Sequence, residues 1–283
     1  MKAFFLTATL VTAFLQTNAH ALSESKASQL SAHYESCFIL YDVNKQQVVS
    51  ETNPDNRCNH RISPNSTFKI PLSLMAFNEK LIDQNTVFIP TIIYPDFPNW
   101  NQCQSPHTWL VYSVVWVSQK LTQQLKMKRI QTYLADFHYG NQDFSGDLDK
   151  NNGLSNAWLD SSLKISAFEQ LNFLKAMLSH TLSLSKDAVY YTKVNLYQEH
   201  LDKGATIYGK TGSGATYQQD AQGKLSKIVQ GWYVGFIEQD KQQYIFVSNI
   251  TDSQSRTPND KHYGSELVKP ITLTLLNAYF NKA

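Results

Sequence analysis

The sequence predicts an α+β fold: an antiparallel sheet built from both ends of the chain, helices packed on it, and a mainly helical lobe inserted between. Strand-like segments rich in aromatic and β-branched residues stand near both termini, and helical apolar spacing runs from about Ser66 to His200. No fixed-period repeat or low-complexity linker divides the chain. At 283 residues, with 42% hydrophobic and 17% charged, it is long enough for one large packed domain. The formal charge of +2 is too small and too evenly spread for a phosphate-backbone footprint, so nucleic acid is not an expected partner.

The first segment, "MKAFFLTATLVTAFLQTNAHALSES", has a lysine at Lys2, an apolar run, and the small-x-small pattern Ala19-His20-Ala21. It reads as a cleavable secretory signal over 1–21, which leaves 22–283 as a single exported domain, periplasmic or secreted. The apolar run falls short of the roughly 20 residues a spanning helix needs, and no cysteine follows the cleavage pattern to carry a lipid. No stable membrane anchor is therefore expected. Within the domain, 22–65 and 201–283 form the sheet-bearing lobe and 66–200 the helical one.

Next, "CFILYDVNKQQVVSETN" reads as two strands around a turn at Asp42 to Asn44. Helical spacing follows in "WLVYSVVWVSQKLTQQL" and "ISAFEQLNFLKAMLSH". Between them lies a loop rich in Gly, Asn and Asp, "YGNQDFSGDLDKNNGLSNAW", of the length at which ordered loops often carry function, with a solvated connector as the simpler reading. "KIVQGWYVGFIEQ" and "QQYIFVSNI" flank the polar link Asp240-Lys241 as an antiparallel hairpin, and "ELVKPITLTLLNAYF" predicts a closing helix with Pro270 near its start. Three cysteines, Cys37, Cys58 and Cys103, leave at least one thiol unpaired within the chain. A Cys37–Cys58 bridge in an oxidising compartment and buried free thiols are both open readings.

The chemistry begins at "PNSTFKI", where Ser66 and Lys69 stand three residues apart, on one helical face. The chain holds four Ser-x-x-Lys matches, Ser23/Lys26, Ser66/Lys69, Ser161/Lys164 and Ser183/Lys186, so spacing alone selects none. Only Ser66 stands at an apparent helix start, where free backbone N–H groups favour developing negative charge. Only Lys69 runs straight into a strongly apolar helix, "IPLSLMAF", where desolvation lowers an amine's pKa and lets it act as a base. Taken alone, the pair reads as a helix cap beside a snorkelling lysine. Further along, Ser113-Val114-Val115 places a hydroxyl in an apolar helical region, able to relay a proton. Lys210-Thr211-Gly212 then offers a cation and a hydroxyl to an anionic substrate, with a glycine that lets it approach the backbone.

A Ser-x-x-Lys serine, a middle Ser-x-Val and a Lys-Thr-Gly, in that order, resemble the active-site set of penicillin-recognising serine enzymes. The closest resemblance is to class D β-lactamases of the oxacillinase type, carried by Ser66-Thr67-Phe68-Lys69, Ser113-Val114-Val115-Trp116, Tyr139-Gly140-Asn141, Trp158-Leu159-Asp160 and Lys210-Thr211-Gly212. It spans essentially the whole chain after 21. The resemblance implies a penicillin-binding-protein transpeptidase-like fold and hydrolysis of the β-lactam amide of penicillin-type antibiotics, conferring resistance. It needs no metal and no organic cofactor, and its expected partner is the small-molecule β-lactam alone, with no obligate protein partner.

Residue by residue, the resemblance makes Ser66 the nucleophile that becomes the acyl-ester. It makes Lys69 the bearer of a carbamate, formed from carbon dioxide or bicarbonate, that serves as general base for acylation and deacylation. Ser113 would pass the proton to the departing nitrogen, and Lys210, Thr211, Gly212 and Ser213 would line the substrate. The backbone N–H groups of Ser66 and Ser213 would form the oxyanion hole. Val115 and Trp158 would surround the carbamate, Trp158 donating its indole N–H, and Tyr139-Gly140-Asn141 would be mainly structural. Many class D enzymes also hold the substrate carboxylate with an arginine after the last strand. In "SNITDSQSRTPNDKHYG" Arg256 or Lys261 are the candidates, but no motif fixes the alignment, and Lys210, Thr211 and Ser213 are the alternative. An antibiotic-sensing domain that acylates without turnover and a cell-wall transpeptidase are the rival functions.

Overall fold

Strands from the two ends of the chain meet in one antiparallel sheet. In the computed structural model, which describes residues 34–201, 204–252, 254 and 256–281, the strands are Tyr34–Asp42 (β1), Gln47–Thr52 (β2), Tyr197–His200 (β3), Thr206–Gln219 (β4), Leu225–Gln239 (β5) and Gln242–Asp252 (β6). The proposed signal over 1–21 and the Ser23/Lys26 match lie outside the described residues. The strand order is β2-β1-β6-β5-β4-β3, with Ile39 opposite Val247 and Leu40 opposite Phe246 where the termini join. The sheet is antiparallel throughout, as the sequence predicts.

Two of the hairpins turn through left-handed residues. Gln46 before β2 takes φ +55°, and β5 passes to β6 through Asp240-Lys241, with Asp240 at φ +53°. Aspartate tolerates the left-handed region because its carboxylate can bond the local backbone.

Helices cover both faces of the sheet, which is why the strands are apolar on both sides. In the helical lobe these are Lys69–Asn78 (α1), Pro106–Val111 (α2), Val115–Asp136 (α3), Gly153–Asn156 (α4), Ala167–Leu178 (α5) and Lys186–Asn195 (α6). Strand alternation sends Ile39, Trp232, Val234 and Val247 towards this lobe. The residues between them, Leu40, Tyr233 and Phe246, pack with Val268, Leu276 and Phe280 of Gly264–Phe280 (α7). Burying each such side chain contributes about 1.5–3 kcal/mol.

The structure differs from the sequence reading at three places. The apolar run 109–125 is two helices, because the chain breaks at Tyr112 to Val114, with Ser113 at φ +55° and Val114 extended. The stretch predicted to be helical up to His200 ends at Asn195, and Tyr197–His200 instead pairs with β4 as a short edge strand. The closing helix starts at Gly264, so Pro270 lies inside it. The Glu266 carboxylate accepts from Tyr263 N–H at 3.3 Å and secures that earlier start.

Of the two readings of the cysteines, the bridged one holds. Cys37 on β1 and Cys58 are bonded, with Cα atoms 5.1 Å apart, and Cys103 is free and exposed. The bridge closes a loop of sequence separation 21; constraining a loop of that size in the unfolded chain is worth about 3 kcal/mol.

Candidate active site

Ser66 and Lys69 meet because the chain turns tightly before α1. Asn65–Phe68 is a single 3-10 turn, in which side chains three apart are eclipsed, and Lys69 is the first residue of α1. Lys69 Nζ lies 3.2 Å from Ser66 Oγ and donates to it. The first nine residues of α1, Lys69 to Phe77, are all buried, so the helix has no polar face along which the lysine could reach water. Lys69 is 0% exposed. Burial, reinforced by the nearby Lys210 charge, holds its pKa well below the ordinary lysine value.

The break between α2 and α3 supplies the next group. Ser113 sits in the left-handed region, sparsely used by serine, which turns its Oγ towards Lys210 Nζ, the donor of their hydrogen bond. Lys210 also donates to the Thr211 carbonyl at 3.1 Å. It is 3% exposed, and burial brings its pKa down to about 7. Val115 opens α3 two residues after Ser113 and is half-buried.

β4 carries Lys210 to Ser213 against the Ser66 turn. A Cβ on Gly212 would lie 2.9 Å from the Pro64 carbonyl oxygen, 3.2 Å from Thr67 Cγ2 and 3.4 Å from Ser66 N. Glycine at 212 is therefore what lets the strand close on the serine. Ser213 Oγ donates to Ser265 Oγ at 2.7 Å and accepts from Ser265 N–H at 3.0 Å, which ties β4 to the first turn of α7.

The floor is aromatic. Trp158 is fully buried and stacks on Phe68, with centroids 5.4 Å apart, and on Phe144, 5.8 Å apart. Its indole N–H is buried with no acceptor among the described residues, an arrangement that costs about 1–3 kcal/mol unless something accepts the bond. Two residues on, Asp160 is a brace: one carboxylate oxygen accepts from Asn65 Nδ2 at 2.9 Å and the other from Ala215 N–H at 2.9 Å. The loop, the nucleophile turn and β4 are thus held by one side chain.

Burial of Lys210 makes stability depend on pH with a definite sign. Its folded pKa of about 7 lies below the unfolded value near 10.4, so between these the unfolded chain holds the extra proton and stability rises with pH. Lys210→Met removes that dependence. In carbon-dioxide-free buffer, urea unfolding should give the variant its largest stability advantage over wild type near pH 6.5, and the gap should close by about pH 10. A gap unchanged with pH would contradict the burial argument.

With this geometry in place, comparison with known proteins gives a clear result. Residues 23–277 match the transpeptidase domain of penicillin-binding proteins. β-Lactamase OXA-1 of Escherichia coli is 44% identical over 226 residues, covering 80% of this chain and 79% of its own. The chain belongs to the class D β-lactamase family. β-Lactamase OXA-9 of Klebsiella pneumoniae is 35% identical over 225 residues, covering 74% of this chain and 77% of its own. The crystal structure of the class D β-lactamase OXA-427 superimposes with a TM-score of 0.73 at 34% identity, covering 87% of this chain and 99% of that one.

The class D motifs read in the sequence converge as follows. Ser66, Lys69, Ser113 and Lys210 form one hydrogen-bonded and electrostatically coupled group, and Thr211, Gly212 and Ser213 continue from it along β4. Tyr139-Gly140-Asn141 is a clasp outside that group: Asn141 donates to the Ser162 carbonyl at 2.8 Å and accepts from Lys164 N–H at 2.9 Å.

Arg256 does not reach the site. Its guanidinium pairs with Asp252 at 2.7 Å and Asp260 at 3.7 Å, and its backbone bridges to Lys227, which lies opposite Tyr217. Six residues of strand separate Tyr217 from Thr211, about 20 Å at ~3.3 Å per residue. Lys261 is exposed and 3.6 Å from Asp96. Two contributors escaped the sequence reading: Ser265, for which no local pattern exists, and the Asp160 brace, whose residue was visible in Trp158-Leu159-Asp160 but whose partners were not. Among the described residues no group of three or more His, Cys, Asp or Glu converges as a metal site, and no helix is long and apolar enough to cross a membrane.

Proposed function

We propose that this protein hydrolyses the β-lactam amide of penicillin-type antibiotics through an acyl-enzyme on Ser66, and so confers resistance to them. The observation that carries the reading is the fully buried Lys69 amine 3.2 Å from Ser66 Oγ. A nucleophilic serine needs a base within hydrogen-bond reach, and burial is what keeps this amine from being a permanent cation.

We further propose that Lys69 is used as a carbamate, formed from carbon dioxide or bicarbonate. The surroundings fit the group: carbamate formation requires a neutral amine, the Trp158 N–H lacks an acceptor among the described residues, and the Lys210 ammonium supplies an opposite charge. Bound there, it supplies an anionic oxygen base, with Val115 and Trp158 as its surroundings. The chain's own groups do the rest. Ser66 Oγ, its proton taken up by the base at Lys69, attacks the lactam carbonyl while the Ser66 and Ser213 backbone N–H groups stabilise the oxyanion. The C–N bond breaks, Ser113 passes a proton to the lactam nitrogen, and Lys210 recharges Ser113. Water then cleaves the Ser66 ester and restores the hydroxyl. Lys210, Thr211 and Ser213 hold the substrate carboxylate, with Ser265 orienting Ser213.

Steady-state hydrolysis of benzylpenicillin tests the reading. Many turnovers per protein are expected; a single stoichiometric acylation with no further product would make the protein a sensor instead.

Export to the periplasm is part of the proposal. Removal of 1–21 explains the lysine, apolar run and small-x-small pattern there, and the Cys37–Cys58 bridge suits an oxidising compartment. Protein recovered from a periplasmic extract should begin at Leu22; an intact Met1 terminus retained in the cytosol would contradict this.

A further inference from the structure

The two backbone N–H groups assigned to the oxyanion hole stand on different elements: Ser66 belongs to the 3-10 turn before α1, and Ser213 lies on β4. Neither element alone fixes the distance between them. Two donors stabilise an oxyanion only when both stand about 2.7–3.1 Å from it, so the gap between turn and strand decides how well the hole works.

Asp160 is joined to both sides of that gap. One carboxylate oxygen accepts from Asn65 Nδ2 at 2.9 Å, and Asn65 immediately precedes Ser66. The other accepts from Ala215 N–H at 2.9 Å, two residues beyond Ser213. N–H groups two apart on a strand leave by the same edge, so Ala215 and Ser213 direct theirs off one side of β4. At ~3.3 Å per residue they are about 7 Å apart along it. Each tie therefore ends one or two residues from an oxyanion donor.

The packing leaves these ties little freedom. A Cβ on Gly214 would stand 2.1 Å from Asp160 Oδ1 and 2.2 Å from Asn65 Nδ2, so β4 rests directly on the hydrogen bond that joins the two side chains. Only glycine lets the strand come this close. Asn65 is 2% exposed and committed on every side: its N–H donates to the Trp158 carbonyl at 2.9 Å, and its amide also reaches the Ser63 carbonyl at 3.3 Å. A change in the Asp160 bond is thus passed to the residue that precedes the nucleophile.

We propose that Asp160 is the positioning residue of the oxyanion hole: its carboxylate holds the Ser66 turn and β4 at the separation from which both N–H groups reach the oxyanion. The inference rests on the function proposed above, in which that oxyanion forms twice, once in acylation and once in deacylation. Asparagine at 160 keeps the shape but accepts only one of the two bonds, because its amide N–H then faces the other donor. Ser213 Oγ keeps its bonds to Ser265 in that variant, so the groups that hold the substrate carboxylate stay in place.

The test is the split between kcat and KM for benzylpenicillin, with the acyl-ester carbonyl stretch as a direct view of the hole. In Asp160→Asn, kcat should fall about 10- to 100-fold, the usual penalty for a misplaced oxyanion donor. KM should stay within about threefold of wild type, since only transition-state contacts are weakened. In the Lys69→Ala background, where the acyl-enzyme persists, difference infrared spectroscopy should show the ester carbonyl band at higher wavenumber when Asp160→Asn is added, as its hydrogen bonds weaken. Gly214→Ala, which forces the Asp160–Asn65 bond apart from the strand side, should give the same split and the same direction of band shift. If Asp160→Asn fails to fold, Gly214→Ala decides alone. A kcat within twofold of wild type in the folded variants, or a fall in kcat with the carbonyl band unmoved, overturns the positioning role while leaving the proposed function standing. Absence of wild-type turnover overturns the function, and the positioning role with it.

Discussion

Ser66→Ala removes benzylpenicillin turnover, by at least about 10⁴-fold in kcat, because no other hydroxyl in the site can form the acyl-ester. Ser113 also carries a hydroxyl in the group, but its Oγ is engaged by Lys210 rather than Lys69. The side chain lost is small and half-buried in a short 3-10 turn, so the fold should survive: Thr67 still donates to the Pro64 carbonyl at 2.7 Å, and Asn65 still bonds Asp160. Intact mass spectrometry after incubation with benzylpenicillin checks the prediction. Wild type captured during turnover should carry one substrate mass and Ser66→Ala none. A substrate adduct on the alanine variant would move the nucleophile to another residue.

Lys69→Ala separates the two halves of the reaction. With the base removed, acylation by a reactive β-lactam slows but continues, whereas deacylation, which requires an activated water, becomes the slow step. The expected result is an acyl-enzyme that persists for hours and a kcat lower by roughly 10²–10⁴-fold, the usual contribution of a general base. Added bicarbonate should not restore turnover, since no amine remains to take it up. Rapid deacylation by this variant would count against any role for Lys69 in the second step. Lys69→Ala also relieves the cost of a buried amine while opening a small cavity; these opposed effects leave the stability change small, so lost turnover would not reflect unfolding.

How much of this was legible beforehand depended on the range of the interaction. The β5–β6 hairpin and α5 were readable because apolar period and turn residues lie within a few positions of each other: Asp240 takes the turn, and the spacing of α5 is local, although the Ser166–Glu169 capping box that starts it was not read. The pairing of β1 with β6 was expected only as a class, since strands at both ends imply a shared sheet without giving its register. The break at Ser113 was hidden because Trp109, Leu110, Val114 and Val117 keep a helix-like apolar spacing across it. A side chain buried on either side of a break looks the same in the pattern.

The site divides in the same way. Ser66 and Lys69 are local neighbours, and their contact follows from one turn. Lys210 and Thr211 were recovered through resemblance rather than spacing. Ser213 with Ser265, and Asp160 with Asn65 and Ala215, are joined only by the tertiary fold. Arg256 shows the converse: one of two open candidates in that stretch of sequence, it is committed to Asp252 and Asp260, far along the sheet from Thr211.

The central claim is that a buried, carbon-dioxide-modified Lys69 is the working base. The most direct measurement is steady-state benzylpenicillin hydrolysis in buffer purged of carbon dioxide, repeated as bicarbonate is titrated back at constant pH and ionic strength. The account predicts low turnover in the purged buffer, rising saturably with bicarbonate to at least about tenfold higher. Turnover equal at every bicarbonate concentration would contradict it and leave the unmodified amine as the base.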